Sequence, residues 1–311
     1  MSKLRILFMG TPDFALESCR AIYENHILLG VVTQPDRPKG RGGKTQPPPV
    51  KEYATKLGLP CWQPTILKDG SFQGVLDETK PDMIVVAAYG RILPEYILNY
   101  PRYGCINVHG SLLPKYRGAA PIQRAVINGD SETGVTIMRM AKGMDTGDMI
   151  LKRSTPILPS DTSGTVFDRL AVLGAEALLE AIDRIADGTA EYVVQNEEEA
   201  THAPMIDKAE GALDFSWPAQ TLRNRVMGMN PSPGAFIELA NYRLKLFDAY
   251  LDDQTSSAPG TVTAIKKNGI SIACGDGFSV RFESVQKQGK NRIDAYSYAC
   301  GAKLSVGDLL K

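Results

Sequence analysis

The chain has 311 residues, 43% hydrophobic and 23% charged, with 35 basic side chains against 35 acidic ones. This is the make-up of a globular protein with a core rather than of a polycation, and the length suits two domains. Five cysteines, widely spread and without a Cys-x-x-Cys pair, argue against a disulfide framework or a cysteine-rich zinc site, and for free thiols in a cytoplasmic setting.

Leu4 to Gly10, LRILFMG, is an apolar run cut short by Gly10, Pro12 and Asp13, which reads as a first strand rather than a signal peptide. A helical pattern follows in PDFALESCRAIYEN, then a strand in ILLGVVTQ. Next come a helix near PPPVKEYATKLG, a short strand at LPCWQP and a helix near FQGVLDETK. PDMIVVAAYG and GCINVHG read as two further buried strands. Near-continuous Val/Ile runs alternating with helices predict an α/β domain with a mostly parallel sheet covered on both faces. A helix in RGAAPIQRAVING, strands near TGVTIMRM and DMILKRSTPIL, and a long amphipathic helix from SGTVFDRL onward extend this domain, expected over residues 1–195. Polar, interrupted text at 196–210 is expected to be a linker. Residues 211–311 hold one helix and then short runs such as GAFIEL, YRLKLFDAYL, GISIAC and FSVRFESVQ, the pattern of a small antiparallel β-barrel of OB-like type. No apolar run approaches the ~18 residues of a membrane span.

The glycines of a dinucleotide fingerprint are missing after the first strand: Gly10 is present, but Pro12 and Phe14 hold the other positions. The chemistry-bearing stretch lies farther on, in CINVHGSLLPKYRGAAPI. Asn107 and His109, two apart on a strand, project to one face about 6–7 Å apart, at the carboxyl end of a parallel strand, where open α/β sheets bind ligands. An amide and an imidazole together can donate hydrogen bonds to one carbonyl oxygen as it becomes an oxyanion. In AKGMDTGDMI, Asp145 and Asp148 sit in a Gly-rich turn. A carboxylate near His109 would favour its charged form and assist proton movement. Sequence spacing alone does not bring Asp145 to His109. These residues match no usual metal-ligand spacing, so no metal is expected, and Ser111 lacks the Gly-x-Ser-x-Gly elbow of a hydrolase. His26 and His202 read as structural. Gln34 to Lys51 carries five basic residues and one acid, suited to phosphate or to a solvated loop.

Together, NVHGSLLPKYRGAAPI, GMDTGD, ILFMGTPDFA, VVTQPDRPKGRG, NPSPGAF and DAYSYACGAKLSVGD closely resemble the methionyl-tRNA formyltransferase family. The Asn-x-His plus Asp set is shared by the wider folate-dependent formyltransferases; the GRG loop and the C-terminal signatures narrow the likeness to tRNA-directed members. The resemblance implies a Rossmann-like formyltransferase domain, an OB-like domain that helps hold tRNA, and formyl transfer from 10-formyltetrahydrofolate to the α-amino group of initiator methionyl-tRNA. It implies Asn107, His109 and Asp145 as the catalytic trio. The folate site would be formed by Ser111, Leu112, Leu113 and Pro114, with Tyr89, Gly90 and Ile92 as walls. Arg37, Lys39, Arg41 and Lys44 would lie against the acceptor stem, and Lys208 would also touch tRNA. Two positions depart from the family pattern: Met205 replaces a basic residue in the linker, and Ser232 stands where relatives often carry Trp. Nothing in the chain demands an oligomer or a membrane. Competing expectations are a sugar-nucleotide formyltransferase, a tRNA-binding module without catalysis, and a folate-dependent hydrolase releasing formate.

Overall fold

The computed structural model describes residues 3–38 and 45–310. In chain order the elements are β1 (Arg5–Gly10), α1 (Phe14–Asn25), β2 (Ile27–Val32), β3 (Arg37–Pro38), β4 (Thr45–Gln46), α2 (Pro49–Lys56), β5 (Cys61–Trp62), α3 (Gln73–Thr79), β6 (Met83–Ala87), α4 (Glu95–Leu98), β7 (Cys105–His109) and α5 (Pro121–Asn128). They continue with β8 (Glu132–Arg139), β9 (Met149–Pro156), α6 (Ser163–Asp187), α7 (Ala219–Gly228), β10 (Ala235–Leu239), β11 (Tyr242–Gln254), β12 (Val262–Lys266), β13 (Gly269–Ala273), β14 (Phe278–Lys287), β15 (Ile293–Asp294) and α8 (Ala295–Ala302). They gather into two compact units. One comprises 1–121, 133–155 and 167–204; the other comprises 122–132, 156–166 and 205–311.

The first unit is built on a seven-stranded sheet in the order β5-β2-β1-β6-β7-β8-β9. Its strands from β5 to β7 run parallel, and β8 lies antiparallel to β7. Strands β6 and β7 are buried at every residue, which explains their lack of polar alternation. Ile106 and Val108, both within 2% of full burial, contribute about 1.5–3 kcal/mol each by leaving water. After β1 the chain travels outward through β2 to β5, then returns to β6 on the other flank of β1. That reversal opens the sheet's carboxyl edge between β1 and β6, where ligands bind in such folds. Gly10 pairs with Ala87 there; a Cβ on Gly10 would stand 2.9 Å from the Ala87 carbonyl and 2.7 Å from Ala15, so only glycine fits.

The second unit carries an antiparallel sheet ordered β10-β11-β14-β13-β12, with β15 on β14. Leu244, Leu246, Val280, Phe282 and Val285 form its buried face, with Phe215 set edge-on to Phe282. Several cations lie over aromatic rings of this sheet: Arg243 on Phe236 at 3.8 Å, Lys287 on Tyr242 at 4.0 Å and Arg292 on Phe247 at 4.3 Å. The segment expected as a linker divides between the units, 196–204 with the first and 205–210 with the second. It contains two single-turn 3-10 helices, Glu197–Glu199 and Lys208–Gly211, the latter opened by a reciprocal Asp207/Glu210 cap.

Candidate active site

His109 closes β7 with a side chain only 6% exposed. Its Nε2 lies 2.9 Å from the Tyr116 carbonyl oxygen, and its Nδ1 lies 3.7 Å from Asp145 Oδ2. Both ring nitrogens therefore face oxygen acceptors, an arrangement that an imidazolium, a donor at both positions, satisfies on each side. The second separation is that of an ion pair rather than a direct hydrogen bond. Asp145 Oδ2 also accepts the Gly118 backbone N–H at 2.9 Å. Thus the structure brings together two groups 36 positions apart in sequence, one at the end of a strand and the other in a turn. Asn107 is buried on the same strand. Two residues of strand place it on the His109 face.

The loop beyond β7 is fixed by Thr136, fully buried on β8 and the register partner of His109. Its hydroxyl donates to the Ser111 carbonyl at 2.7 Å and accepts from the Leu113 N–H at 3.0 Å. Ser111 Oγ turns inward to the Lys115 carbonyl. Leu113 packs with Met138 and Met149 in the core, Leu112 is half-buried, and the Pro114 carbonyl accepts the Thr201 N–H. Tyr116 and Asp145 both hold left-handed backbone, with φ of 62° and 54°, the sparse region in which non-glycine residues tend to mark constrained sites. The turn at Asp145 is possible because position 147 is glycine: a Cβ there would stand 1.8 Å from the Arg139 carbonyl.

Of the expected folate walls, Tyr89 turns its ring into the core and is 1% exposed. Its hydroxyl is buried without a partner, and burial pushes its ionisation up to about 12. Its backbone carbonyl accepts instead from the Thr11 hydroxyl and from Gln34 Nε2, just beyond β1 and β2. Gln34 is held in turn by Arg91. Gly90 and Ile92 are exposed, Ile92 by 66%. Cys105, at the start of β7, is a buried thiol raised to about 12 by desolvation, unsuited to nucleophilic work.

Arg37 is exposed on the short β3–β4 ladder; Lys39, Arg41 and Lys44 lie outside the described residues. Immediately before β3, Asp36 receives Lys51 Nζ at 2.8 and 2.9 Å and Gln63 Nε2 at 2.8 Å. These hydrogen bonds, Lys51 first, hold its carboxyl below the usual range. Lys208 is exposed in the second unit, where Lys245 has its ammonium lowered by burial and then by Arg243 and Lys208.

Sequence reasoning missed the polar residues behind the site. Arg117 is 4% exposed, donates from Nε to Gln195 Oε1 at 3.0 Å and forks onto Glu197 at 2.8 and 2.9 Å. Gln195 Nε2 donates to the carbonyls of Asp145 and Gly147 at 2.8 and 2.7 Å. Arg117 stands inside the NVHGSLLPKYRGAAPI stretch, but nothing in the sequence joins it to Gln195 and Glu197; the link becomes visible only when residues 195–203 are seen against the two loops. Among the described residues no group of three or more His, Cys, Asp or Glu is placed to hold a metal ion, and no helix is long and apolar enough to cross a membrane.

Residues 3–182 match the family model for formyl transferase, and 205–303 match that for the formyl transferase C-terminal domain. The chain is 48% identical to a methionyl-tRNA formyltransferase of Desulfotalea psychrophila, over 99% of this chain and 96% of the relative. It is 46% identical to one of Acetivibrio thermocellus, over 99% of each. In fold it is similar to HypX from Aquifex aeolicus, solved in complex with tetrahydrofolic acid, with a TM-score of 0.69 at 18% identity; the match covers 98% of this chain and 48% of that one. On this agreement of sequence across the whole chain, and of fold, the chain belongs to the formyl transferase family.

Proposed function

We propose that this enzyme moves the formyl group of 10-formyltetrahydrofolate to the α-amino group of initiator methionyl-tRNA, giving N-formylmethionyl-tRNA. The observation that carries this is the pairing of His109 with Asp145, with Asn107 two residues back on the same strand, at the carboxyl edge of the sheet. Whole-length relatives named for the same reaction support the choice of acceptor.

Asn107 donates its amide hydrogens to the formyl oxygen, which gains negative charge as the amine adds to the carbonyl carbon. His109 in its imidazolium form supplies a second donor once the oxygen competes with the Tyr116 carbonyl for Nε2–H. Both donors are preorganised and largely screened from water, the condition under which such contacts lower a barrier most. Asp145, opposite Nδ1, orients the ring and takes part in moving a proton from the attacking amine toward folate N10, the leaving nitrogen. The apolar, exposed Ile92, the left-handed turn at Gly90 and the half-buried Leu112 suit a wall for the flat pterin, with Ser111, Leu113 and Pro114 holding that loop in shape. Arg37, Lys39, Arg41 and Lys44, with Lys208 and the ring-stacked cations of the second unit, would track phosphates rather than read bases. The five widely spread cysteines, free among the described residues, support a cytoplasmic setting for this reaction.

Purified protein should be offered 10-formyltetrahydrofolate with charged initiator tRNA in one arm and an amino-sugar nucleotide in another. Formyl transfer to the tRNA alone is expected. Transfer to the sugar with none to tRNA, or formate released without either acceptor, would replace this assignment.

A further inference from the structure

The residues just beyond β9 and α6 do more than lead to the second unit. Residues 195–203 hydrogen-bond to both loops that bring the candidate catalytic groups together. On one side, Tyr116 N–H donates to Thr201 Oγ1 at 2.8 Å. Arg117 N–H reaches the Thr201 carbonyl, Ala203 N–H reaches the Arg117 carbonyl, and Ala120 N–H reaches the Ala203 carbonyl. Gly118, φ 123°, passes so close that a Cβ would stand 2.8 Å from the Ala203 carbonyl. These contacts hold the loop whose Tyr116 carbonyl and Gly118 N–H touch His109 and Asp145. On the other side, a single amide nitrogen, Gln195 Nε2, spends both hydrogens on the carbonyls of Asp145 and Gly147.

We infer that Gln195 is a positioning residue for the formyl-transfer site, fixing the Asp145 turn so that its carboxylate stays opposite His109 Nδ1. Three features converge on this. Gln195 is 4% exposed, so its polar atoms are kept in the interior only because each is bonded. Its acceptor oxygen is set by Arg117 Nε, which fixes the amide's rotation and points the NH2 group at the turn. The turn itself holds Asp145 at a left-handed φ of 54°, a conformation that persists only where surrounding contacts over-determine it. Arg117 is anchored by Glu197, whose carboxyl it lowers, so Glu197, Arg117, Gln195 and the Asp145 turn form one chain of hydrogen bonds. Gln195 touches neither co-substrate; it acts through Asp145.

The inference rests on the role proposed for His109 and Asp145, and its test has an arm that needs no turnover. Gln195→Met keeps the length of the side chain and removes both donors; Gln195→Glu removes the donors and keeps an acceptor for Arg117. Each variant should lower kcat by up to about 100-fold, the scale of a 1 Å misplacement, with KM for tRNA and for folate within twofold of wild type. The protein has three histidines, so the ring signals of His109 are separable by NMR in the free protein. At one fixed pH they should move in both variants in the direction seen for Asp145→Asn. A His109 signal that moves in Asp145→Asn but stays at its wild-type position in both Gln195 variants would overturn the inference. So would a loss of kcat that only follows a fall in melting temperature. If the wild-type protein proves to transfer no formyl group, the NMR arm still reads the Gln195–Asp145–His109 link.

Discussion

Asp145 carries two duties that can be separated by substitution. Its Oδ2 faces His109 and accepts the Gly118 N–H; Asp145→Asn keeps an acceptor for Gly118 but removes the charge. Turnover should fall by about 10²–10⁴, the usual contribution of a positioned acid–base group. Asn107→Ala removes a donor aimed at a developing oxyanion, and a fall of about 10²–10³ in kcat is expected. Single-turnover transfer measures both; a variant within threefold of wild type would remove that residue from the mechanism. Tyr89 makes a contrasting case. Its hydroxyl is buried and unpartnered, so Tyr89→Phe should raise stability by about 1 kcal/mol. Calorimetric melting showing a comparable drop instead would mean that the hydroxyl has a partner. Asn107 and His109 were legible because strand geometry alone puts residues two apart on one face. Gln195 was not, because a glutamine in polar text has no spacing to betray what it will touch.

At the scale of elements, apolar runs revealed β1, β2, β6 and β7 because both faces of those strands are buried. Burial carries no direction, however, so the antiparallel setting of β8 could not be read before the sheet was seen. The short β3–β4 ladder was also hidden: two residues on each side, Arg37–Pro38 and Thr45–Gln46, are too few to show a period. That ladder matters because the basic loop springs from it, and Lys51 and Gln63 tie down Asp36 at its root. Lys51→Met should free this root and raise KM for tRNA several-fold while leaving KM for folate unchanged. Replacing Lys39, Arg41 and Lys44 with Ala should weaken tRNA binding and flatten its salt dependence, by a slope of about 0.7–0.9 for each phosphate no longer neutralised. Unchanged affinity and slope in the triple variant would assign the binding of the acceptor stem elsewhere.

For the whole molecule, zero formal net charge conceals local pairing. Hydrogen bonds from Lys51, Arg117 and Arg124 hold the carboxyls of Asp36, Glu197 and Glu210 below their ordinary range. Depressed folded-state values mean that this stabilisation is complete above the unfolded carboxylate range and disappears as pH falls through the folded values. Glu197 is exposed and Asp36 and Glu210 are partly so, so each effect is modest and screened by salt. Melting temperature should hold level near neutrality and decline below about pH 4; a melting temperature that climbed on acidification would contradict the assigned pairs. The change in composition near residue 196 suggested a boundary there, but it gave no sign that 122–132 and 156–166 group with 205–311, nor that 195–203 bond back onto the first unit, since both depend on which segments come to meet. The most direct test of the account follows labelled formyl from 10-formyltetrahydrofolate to initiator methionyl-tRNA with wild type and with Asp145→Asn, measuring tRNA binding on the same preparations. Transfer by the wild type, abolished in the variant with its tRNA dissociation constant within twofold, is the predicted result. A variant that transfers formyl at the wild-type rate would contradict the central claim that the carboxylate facing His109 drives the chemistry.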